Sequence, residues 1–277
     1  MPIVARRLIR KMRGGAQSHL IEGNDGAFYV VKFTNNPQHR RILVNEWLSG
    51  VVLRYLQVYT PEMALIELTP EFIRENPDLA IVYGSRREQP PPGIHFGSRT
   101  AVDPDRVAIY DFLPDTLLGK IENRVDFLGT LIFDKWVGNA DSRQAIFFRA
   151  KARNWTPLKG EAPARVGFFA QMIDHGFAFN GPHWTYMDSP IQGIYFRTSV
   201  YADVTSFDSF QPWLDMVRHL PEGVLDEAWK QIPRAWMEGD ETDLEALLEQ
   251  LWKRRNRVEA LLDEVRRNRP SFFPKWT

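Results

Sequence analysis

The spacing of apolar residues changes along this chain from a strand-like pattern at the front to a helical pattern at the back. Gly23-Asn24-Asp25-Gly26 is a strong hairpin turn, because Asn, Asp and Gly tolerate positive φ, and the aromatic and β-branched residues of 27–33 predict a strand after it. Apolar residues at helical spacing then predict a helix over 40–57. We therefore predict an α+β fold with two lobes joined by a short connector.

The remaining segments divide between these two patterns. A Pro-, Gly- and Arg-rich stretch at 84–105 is predicted to be a surface loop, and a second loop is predicted at 150–164. Thr242 and Glu245 form a capping-box pattern that predicts one helix with an apolar stripe reaching Val265. The other predicted elements are strands at 4–11, 18–22, 64–68, 107–112, 145–149 and 166–173, a helix at 123–136, and mostly helix after Pro182. The predicted lobes are a small β-rich N-lobe at 1–112 and a larger helical C-lobe at 113–277.

Composition excludes several classes of function. The chain of 277 residues has no cysteine, which rules out disulfides, thiolate metal sites and a cysteine nucleophile, and fits a reducing compartment. Its 35 basic and 35 acidic residues cancel, which argues against strong direct binding to nucleic acid. The sequence shows no apolar run long enough to span a membrane and no secretory signal at its start, so we expect a cytoplasmic protein.

A glycine-containing loop lies between the first two predicted strands. Gly14-Gly15-Ala16-Gln17-Ser18 offers small residues whose backbone N–H groups can approach an anion, and Ser18 adds a hydroxyl donor. The same residues would also serve as an ordinary turn. The Gly-x-x-x-x-Gly-Lys-Ser/Thr pattern of P-loop nucleotide-binding proteins is absent from the sequence.

Lys32 stands inside an apolar predicted strand, and Glu46 stands inside the amphipathic helix that follows. A lysine in such a strand is costly unless it is paired or lies at an edge, where its side chain can reach solvent. Because Glu46 is close to the apolar stripe of the helix, the two residues are natural partners. A lysine that grips phosphate and is positioned by a helix glutamate has the same form in kinases.

Two later segments place acids at loop positions. Asn139-Ala140-Asp141 lies between a predicted helix and strand, and Asp174-His175-Gly176 ends a predicted strand. Each is compatible with a simple turn. The chain order of glycine loop, strand lysine, helix glutamate, connector, Asp/Asn loop, strand and Asp-x-Gly is, however, the order of the protein-kinase-like fold, which needs these parts for metal-dependent phosphoryl transfer.

These residues resemble the HipA-type kinases, in particular the smaller HipA-like group. The likeness lies in the Gly-Ala-Gln loop, the lysine strand followed by Asn36-Pro37, Asn45-Glu46 in the helix, and Asn139-Ala140-Asp141, and it covers roughly residues 10–180. It implies a bilobal protein-kinase-like fold, use of ATP and Mg²⁺, and phosphorylation of serine or threonine on proteins. Some members are toxins paired with antitoxins, which makes an antitoxin-like regulator a candidate partner. We expect the chain to lack the extra N-terminal subdomain of the full-length toxins.

By this resemblance Lys32 would hold the ATP phosphates, Glu46 would orient Lys32, Asp141 would be the catalytic base and Asp174 the principal metal ligand. The phosphates would lie against Gly14–Ser18. The adenine pocket would be lined by the backbone of 108–113, including Tyr110, Asp111, Phe112 and Leu113.

The sequence departs from the family pattern at the second metal ligand. The family places a metal-binding Asn five residues after its catalytic Asp, and here that position is Ile146. Gln144 is a candidate replacement, although it stands two residues early, and Arg143 stands where a His is common. Asn139 is either a further metal-shell amide or a residue that caps its own turn. Three functions therefore remain open: an ATP- and Mg²⁺-dependent protein kinase, a nucleotide-binding pseudokinase that acts as an interaction module, and a small-molecule kinase of the same fold.

Overall fold

The structure is a computed structural model and describes residues 1–151 and 166–276. The front of the chain forms a closed barrel of five strands in the order β1-β2-β3-β7-β4, with β4 running parallel to β1 and closing the barrel. The barrel strands are β1 (Ile3–Lys11), β2 (His19–Gly23), β3 (Phe28–Lys32), β4 (Met63–Leu68) and β7 (Gly93–Arg99).

The hairpin of β2 and β3 forms where the turn residues predict it. Gly26 has a φ of +77°, and the backbone N–H of Gly23 donates to the carbonyl of Ala27 across the turn. Alternation along β3 sends Tyr29 and Val31 into the barrel core, so Lys32 points from the opposite face of the strand.

The prediction of a surface loop at 84–105 is wrong, because this segment contains β7, the strand that pairs with both β3 and β4 in the barrel. Its apolar content is low, yet His95 and Phe96 are both buried. Gly97 is required by close packing, since a Cβ there would lie 2.5 Å from the side chain of Ile66 on the neighbouring strand. A short hairpin precedes it, formed by β5 (Ile81–Tyr83) and β6 (Arg86–Glu88), after the short helix α2 (Pro70–Glu75).

Helix α1 (Arg41–Tyr55) confirms the helix predicted over 40–57. Most of its residues are buried, because it packs against β7 on one side and against later helices on the other. At its start Arg41 forms ion pairs with Asp240 at 2.6 Å and Asp243 at 2.7 Å, about two hundred residues further along the chain.

A second sheet has the order β10-β9-β8, with strands β8 (Ile109–Tyr110), β9 (Gln144–Lys151) and β10 (Val166–Ile173). The strands predicted at 145–149 and 166–173 are thus confirmed. Apart from residues 150 and 151, the loop predicted at 150–164 lies outside the described residues. Helix α3 (Asp115–Leu118) and helix α4 (Asp126–Val137) precede β9, and α4 is buried along nearly its whole length.

The back of the chain is helical in the described residues, as predicted, with an irregular stretch at 184–197. Its helices are α5 (Trp213–Arg218), α6 (Glu222–Lys230), α7 (Arg234–Met237), α8 (Glu241–Arg254) and α9 (Val258–Asn268).

The single helix predicted from Thr242 to Val265 is interrupted, since a 3-10 turn at Arg255–Arg257 separates α8 from α9. The capping box is also wrong, because α8 already begins at Glu241 and Asp240 at its N-cap makes no side-chain cap bond. The carboxylate of Asp240 instead accepts hydrogen bonds from Arg41.

The end of the described chain docks on its own fold. Phe273 is buried, and Trp276 packs edge-on against Phe207 with ring centroids 4.8 Å apart. Among the described residues, no helix combines the length and the apolar character that a bilayer crossing needs.

Candidate active site

Three charged residues from distant parts of the chain meet where the barrel faces the second sheet. Lys32 at the end of β3 donates hydrogen bonds to Glu46 on α1 and, at 2.8 Å, to Oδ1 of Asp174, which directly follows β10. Lys32 is only 7% exposed, so the edge position considered from the sequence does not apply. The predicted contact between Lys32 and Glu46 is present in the structure.

The electrostatics of this cluster keep Lys32 charged. Burial alone would lower the pKa of Lys32, but the charges of Glu46 and Asp174 outweigh it and hold that pKa above its ordinary value. The Lys32 ammonium in turn lowers the pKa of Asp174. One cation thus faces two carboxyl groups, which leaves the cluster able to accept a further positive charge beside Asp174.

The glycine loop connects β1 to β2 at the same end of β3 as Lys32, because His19 at the start of β2 pairs with Val31. Gly14 has a φ of +114°, which favours glycine, and a Cβ on Gly15 would lie 2.8 Å from the side chain of Gln38. The backbone of Gly14, Gly15 and Ala16 is therefore the part of the loop that a ligand can approach closely.

Gln17 and Ser18 hold the glycine loop in place. The Gln17 carboxamide donates to the carbonyl of Val82 at 2.7 Å and accepts from the N–H of Val82 at 3.0 Å, which ties the loop to β5. Ser18 is buried, and its carbonyl accepts from the N–H of Met12 at 2.8 Å. For Gln17 the structure thus supports an anchoring role in addition to the predicted place in a phosphate loop.

The Asp/Asn loop begins where α4 ends at Gly138, whose φ of +61° is the left-handed conformation that glycine favours. Asn139 is buried, donates to the carboxylate of Asp134 at 2.9 Å, and accepts from the N–H of Asp141 at 3.1 Å. Both ends of its amide are engaged within the loop, which supports the turn-capping alternative over a metal ligand. Asp141 itself is exposed, with Oδ1 accepting from the N–H of Ser142 at 2.7 Å.

A buried ion pair beneath this loop was not assigned a role from the sequence. Arg143 donates to both carboxylate oxygens of Asp134, one of them at 2.8 Å, and both side chains are almost fully buried. The third nitrogen of Arg143, Nη1, donates at 2.9 Å to the carbonyl of Ile173 and to Nδ1 of His175. Arg143 thus joins α4 and the Asp/Asn loop to the end of β10. The nearest signal in the sequence was the unusual arginine at a position where a His is common.

The protonation state of His175 follows from these partners. Because a guanidinium can only donate, Nδ1 of His175 accepts from Arg143 and the proton lies on Nε2, 2.9 Å from Oγ1 of Thr60. Burial holds the pKa of His175 well below its ordinary value, so the ring is neutral. Thr60 donates to the carbonyl of Met172 at 3.1 Å, which connects the loop before β4 to β10.

Strand register decides which residue stands beside Asp174. Gln144, the first residue of β9, pairs with Ile173, and its Nε2 lies 3.3 Å from Oδ2 of Asp174. Ile146 pairs with Gln171 inside the sheet. Strand β9 therefore begins three residues after Asp141. Ile146, which stands at the position of the family's metal-binding Asn, is already part of this strand.

The oxygen donors at this place fit a divalent cation of the Mg²⁺ type. Mg²⁺ is bound in proteins by one or two carboxylates together with substrate phosphates and waters. Asp174 offers a carboxylate, and the neighbouring Gln144 carboxamide, whose nitrogen faces Asp174 here, would offer its oxygen if the amide turned over. Among the described residues there is no group of three or more His, Cys, Asp or Glu side chains that would hold a metal without a ligand's help.

A cavity of about 420 Å³ lies at the end of the barrel opposite the glycine loop, where β3 begins and β7 ends. Its walls are the β2–β3 turn, the segment before β4, the residues that follow β7, and β10. The lining residues are Gly26, Ala27, Phe28, Tyr59, Thr60, Glu62, Arg99, Thr100, Ala101, Val102, Asp103 and Gln171.

The residues predicted for the adenine pocket contribute nothing to the lining of this cavity. Tyr110 pairs with Phe147 in the second sheet and is largely exposed, while Phe112 is exposed under the guanidinium of Arg197, 4.4 Å away. Asp111 is exposed between them. Leu113 is buried in the main core, the large apolar cluster that includes residues of α1 and α4. The segment 99–103, which does line the cavity, lies in the stretch that was predicted to be a surface loop.

Comparison with known proteins bears on the family and the fold. A family model described as HipA-like kinase matches residues 5–269. No curated protein sequence matches the chain. A crystal structure of the Golgi casein kinase with Mn and ADP bound superimposes with a TM-score of 0.51 at 12% identity, covering 96% of this chain and 74% of that one. The structure of hydra Fam20 with sugar gives a TM-score of 0.56 at 12% identity, with 96% and 87% covered. At these identities the likeness shows the fold, which is protein-kinase-like.

Proposed function

The chain belongs to the HipA-like kinase family, and we propose that it transfers the γ-phosphate of ATP, with Mg²⁺, to a serine or threonine hydroxyl of a protein. Family and fold make it a kinase-type phosphotransferase. The nucleotide, the metal and the acceptor are our inferences, as is a division into an N-lobe at 1–112 and a C-lobe at 113–277.

The observation that carries the proposal is the double contact of Lys32 with Glu46 and Asp174. In kinases a strand lysine grips the phosphates only when a helix glutamate positions it, and a metal-binding aspartate must stand nearby. Here one ammonium contacts both acids, so the phosphate-binding and metal-binding groups are already within reach of a single ligand.

The dimensions of β3 suit a nucleotide lying beneath it. Phe28 lines the cavity and Lys32 ends the strand, and four strand steps of about 3.3 Å separate them by about 13 Å. We place the base in the cavity beside Thr100–Asp103 and the phosphates at Lys32, under the backbone N–H groups of Gly14–Ala16.

Mg²⁺ would be held by Asp174 and Gln144 together with the phosphates. A bound divalent ion of this kind neutralises charge on the β- and γ-phosphates and stabilises the charge that develops during transfer. Lys32 adds a fixed positive charge on the other side of Asp174. The structure of Golgi casein kinase with Mn and ADP bound supports the use of a nucleotide and a divalent metal by this fold.

Asp141 is proposed as the base that accepts the proton of the acceptor hydroxyl. Its carboxylate is exposed, whereas its backbone is fixed by Asn139 and by the N–H of Gly193, which donates to the Asp141 carbonyl at 2.8 Å. Such a group is accessible to a substrate and yet held in position, as general-base catalysis requires.

Exposed apolar residues on the segment that contacts the Asp/Asn loop favour a polypeptide acceptor over a small polar molecule. The segment 184–197 contacts the Asp/Asn loop through Gly193 and Ile194 and exposes Met187, Ile191 and Phe196. Exposed apolar surface beside a site is typical of protein contacts. That the acceptor is a serine or threonine, and that an antitoxin-like regulator exists, are supported by the family alone.

The pseudokinase alternative depended on Ile146. Since register places Gln144 beside Asp174 instead, we favour an active enzyme. The deciding experiment supplies ATP labelled on its γ-phosphate, with Mg²⁺, to the protein together with Ser/Thr peptides or with a panel of sugars. Label on peptides supports the proposal, label on sugars alone favours a small-molecule kinase, and bound ATP without transfer favours a pseudokinase.

A further inference from the structure

The side chain of Gln171 on β10 is 2% exposed, and its Oε1 atom has no hydrogen-bond partner. Buried carboxamide oxygens in native proteins are almost always paired, and an unpaired one costs free energy comparable to a lost hydrogen bond. A group of this kind that borders a cavity is a candidate for pairing with a ligand.

Gln171 faces the cavity because of alternation along β10. Its neighbours Ala170 and Met172 point into the main core, so the Gln171 side chain points to the other face of the strand. On that face Phe169 forms a small apolar cluster with Phe148, and Ala101 and Val102, which follow β7, pack against this cluster. Gln171 is among the residues that line the cavity.

Three of the other polar side chains of the lining are already engaged. Thr60 donates to the Met172 carbonyl, Glu62 accepts from Arg99 at 2.9 Å, and Asp103 accepts from the N–H of Asp105 at 2.9 Å. Among the described residues that line this cavity, Gln171 is the one whose buried side-chain oxygen lacks a hydrogen-bond partner.

We propose that the Gln171 carboxamide selects the base of the nucleotide, with Oε1 accepting a hydrogen bond from the 6-amino group of adenine. A primary amide carries an acceptor and a donor side by side, and so does the edge of adenine, which is why glutamine and adenine pair with two bonds in protein–nucleic acid complexes. On the edge that carries N7, adenine offers the 6-amino donor and the N7 acceptor, whereas guanine offers two acceptors, O6 and N7, and would leave Oε1 unpaired in either orientation of the amide.

This inference rests on the proposed function and deepens it, because it names the residue that makes ATP the preferred nucleotide. A site built to pair with a polar group rejects an analogue that lacks that group, since the site's own buried atoms are then left unsatisfied. We therefore expect the wild-type protein to bind ATP more tightly than GTP.

The test measures the dissociation constants of ATP and GTP, with Mg²⁺, for the wild type, Gln171→Met and Gln171→Leu. Both substitutions replace the polar glutamine with an apolar side chain of similar size. Because they remove a buried amide whose oxygen is unpaired, the nucleotide-free variants should unfold at no lower temperature than the wild type. Gln250→Met, on the exposed face of α8, is the matched control.

We expect both Gln171 variants to bind ATP at least tenfold more weakly, with little change for GTP, while Gln250→Met keeps the wild-type preference. An unchanged ratio of ATP to GTP affinity in folded Gln171 variants would overturn the inference and leave the proposed kinase function intact. Binding of neither nucleotide by the wild type would overturn both.

Discussion

Lys32 donates a hydrogen bond to Asp174 across 2.8 Å, although 142 positions separate the two residues in the chain. The contact joins the last residue of a barrel strand to the acid that follows the second sheet. It also brings the proposed phosphate-binding group to the proposed metal ligand without any ligand between them. Each end of this contact, and each residue that holds it, can be tested separately.

Lys32→Met should lower phosphoryl transfer at least 100-fold and also destabilise the fold. The substitution leaves Glu46 buried beside Asp174 without its cation, and breaking a buried pair in this way costs about 3–5 kcal/mol. Adding Glu46→Gln should recover part of the free energy of unfolding but none of the transfer. Urea unfolding and turnover of labelled ATP measure the two effects, and normal turnover by Lys32→Met would exclude Lys32 as the phosphate-binding group.

Gln144→Met should raise the Mg²⁺ concentration needed for half-maximal activity by at least about tenfold, because it removes one of the two side chains proposed to hold the ion, and changing even an outer partner of a metal site costs about 10–100-fold in affinity. Ile146→Asn, which restores the family's residue, should not lower that requirement, because position 146 lies inside β9 opposite Gln171. Metal titrations of activity distinguish the two. A lower Mg²⁺ requirement in Ile146→Asn would show that the strand register is not what selects Gln144.

Arg143→Lys should destabilise the protein by about 2–4 kcal/mol despite keeping the charge. A lysine cannot reproduce the forked contact with Asp134 and the further bonds to Ile173 and His175, so it leaves buried acceptors unsatisfied. Arg86→Lys on the exposed β5–β6 hairpin is the control and should change the free energy of unfolding by less than about 0.5 kcal/mol. Equal stability of the two variants would contradict the role given to the buried pair.

His95 should make the barrel sensitive to acid. Burial lowers the pKa of His95 to about 4 from an ordinary value of 6.5, so the folded state binds fewer protons than the unfolded state between these pH values. Stability is then fully present above pH 6.5 and is lost as pH falls toward 4, with a loss of about 2 kcal/mol at pH 5.

The control for this effect is His95→Asn, which can still accept from the N–H of Thr34 but does not titrate. Its free energy of unfolding should fall less between pH 7 and pH 5 than that of the wild type. The same fall in both proteins would assign the acid sensitivity to other groups.

The sequence correctly predicted the elements that form mainly because of their own residues. The turn at Gly23–Gly26, the helix from Arg41 and the strand ending at Ile173 each have their own residues as the main cause. Strand β7 was missed because its place depends on neighbours, with Gly97 accommodating Ile66 and His95 bonded to Thr34. The capping box failed for a similar reason, since Asp240 begins α8 while its carboxylate serves Arg41.

The candidate site divides in the same way. The order of motifs predicted that Lys32, Glu46 and Asp174 belong together, and the structure brings them into contact. The order of motifs could not predict the strand register that puts Gln144 rather than Ile146 beside Asp174, or the buried partner of Arg143. It also could not show that residues 99–103, rather than 110–113, border the cavity, because that depends on where β7 leaves the barrel.

The most direct test of the proposed function compares the wild type with Asp141→Asn in the transfer of labelled γ-phosphate from ATP to protein Ser/Thr acceptors with Mg²⁺ present. We predict transfer by the wild type and, in Asp141→Asn, ATP binding of unchanged affinity with transfer reduced at least 100-fold, the scale of a general base. Equal transfer by the two proteins, or nucleotide binding by the wild type without any transfer, would contradict the account.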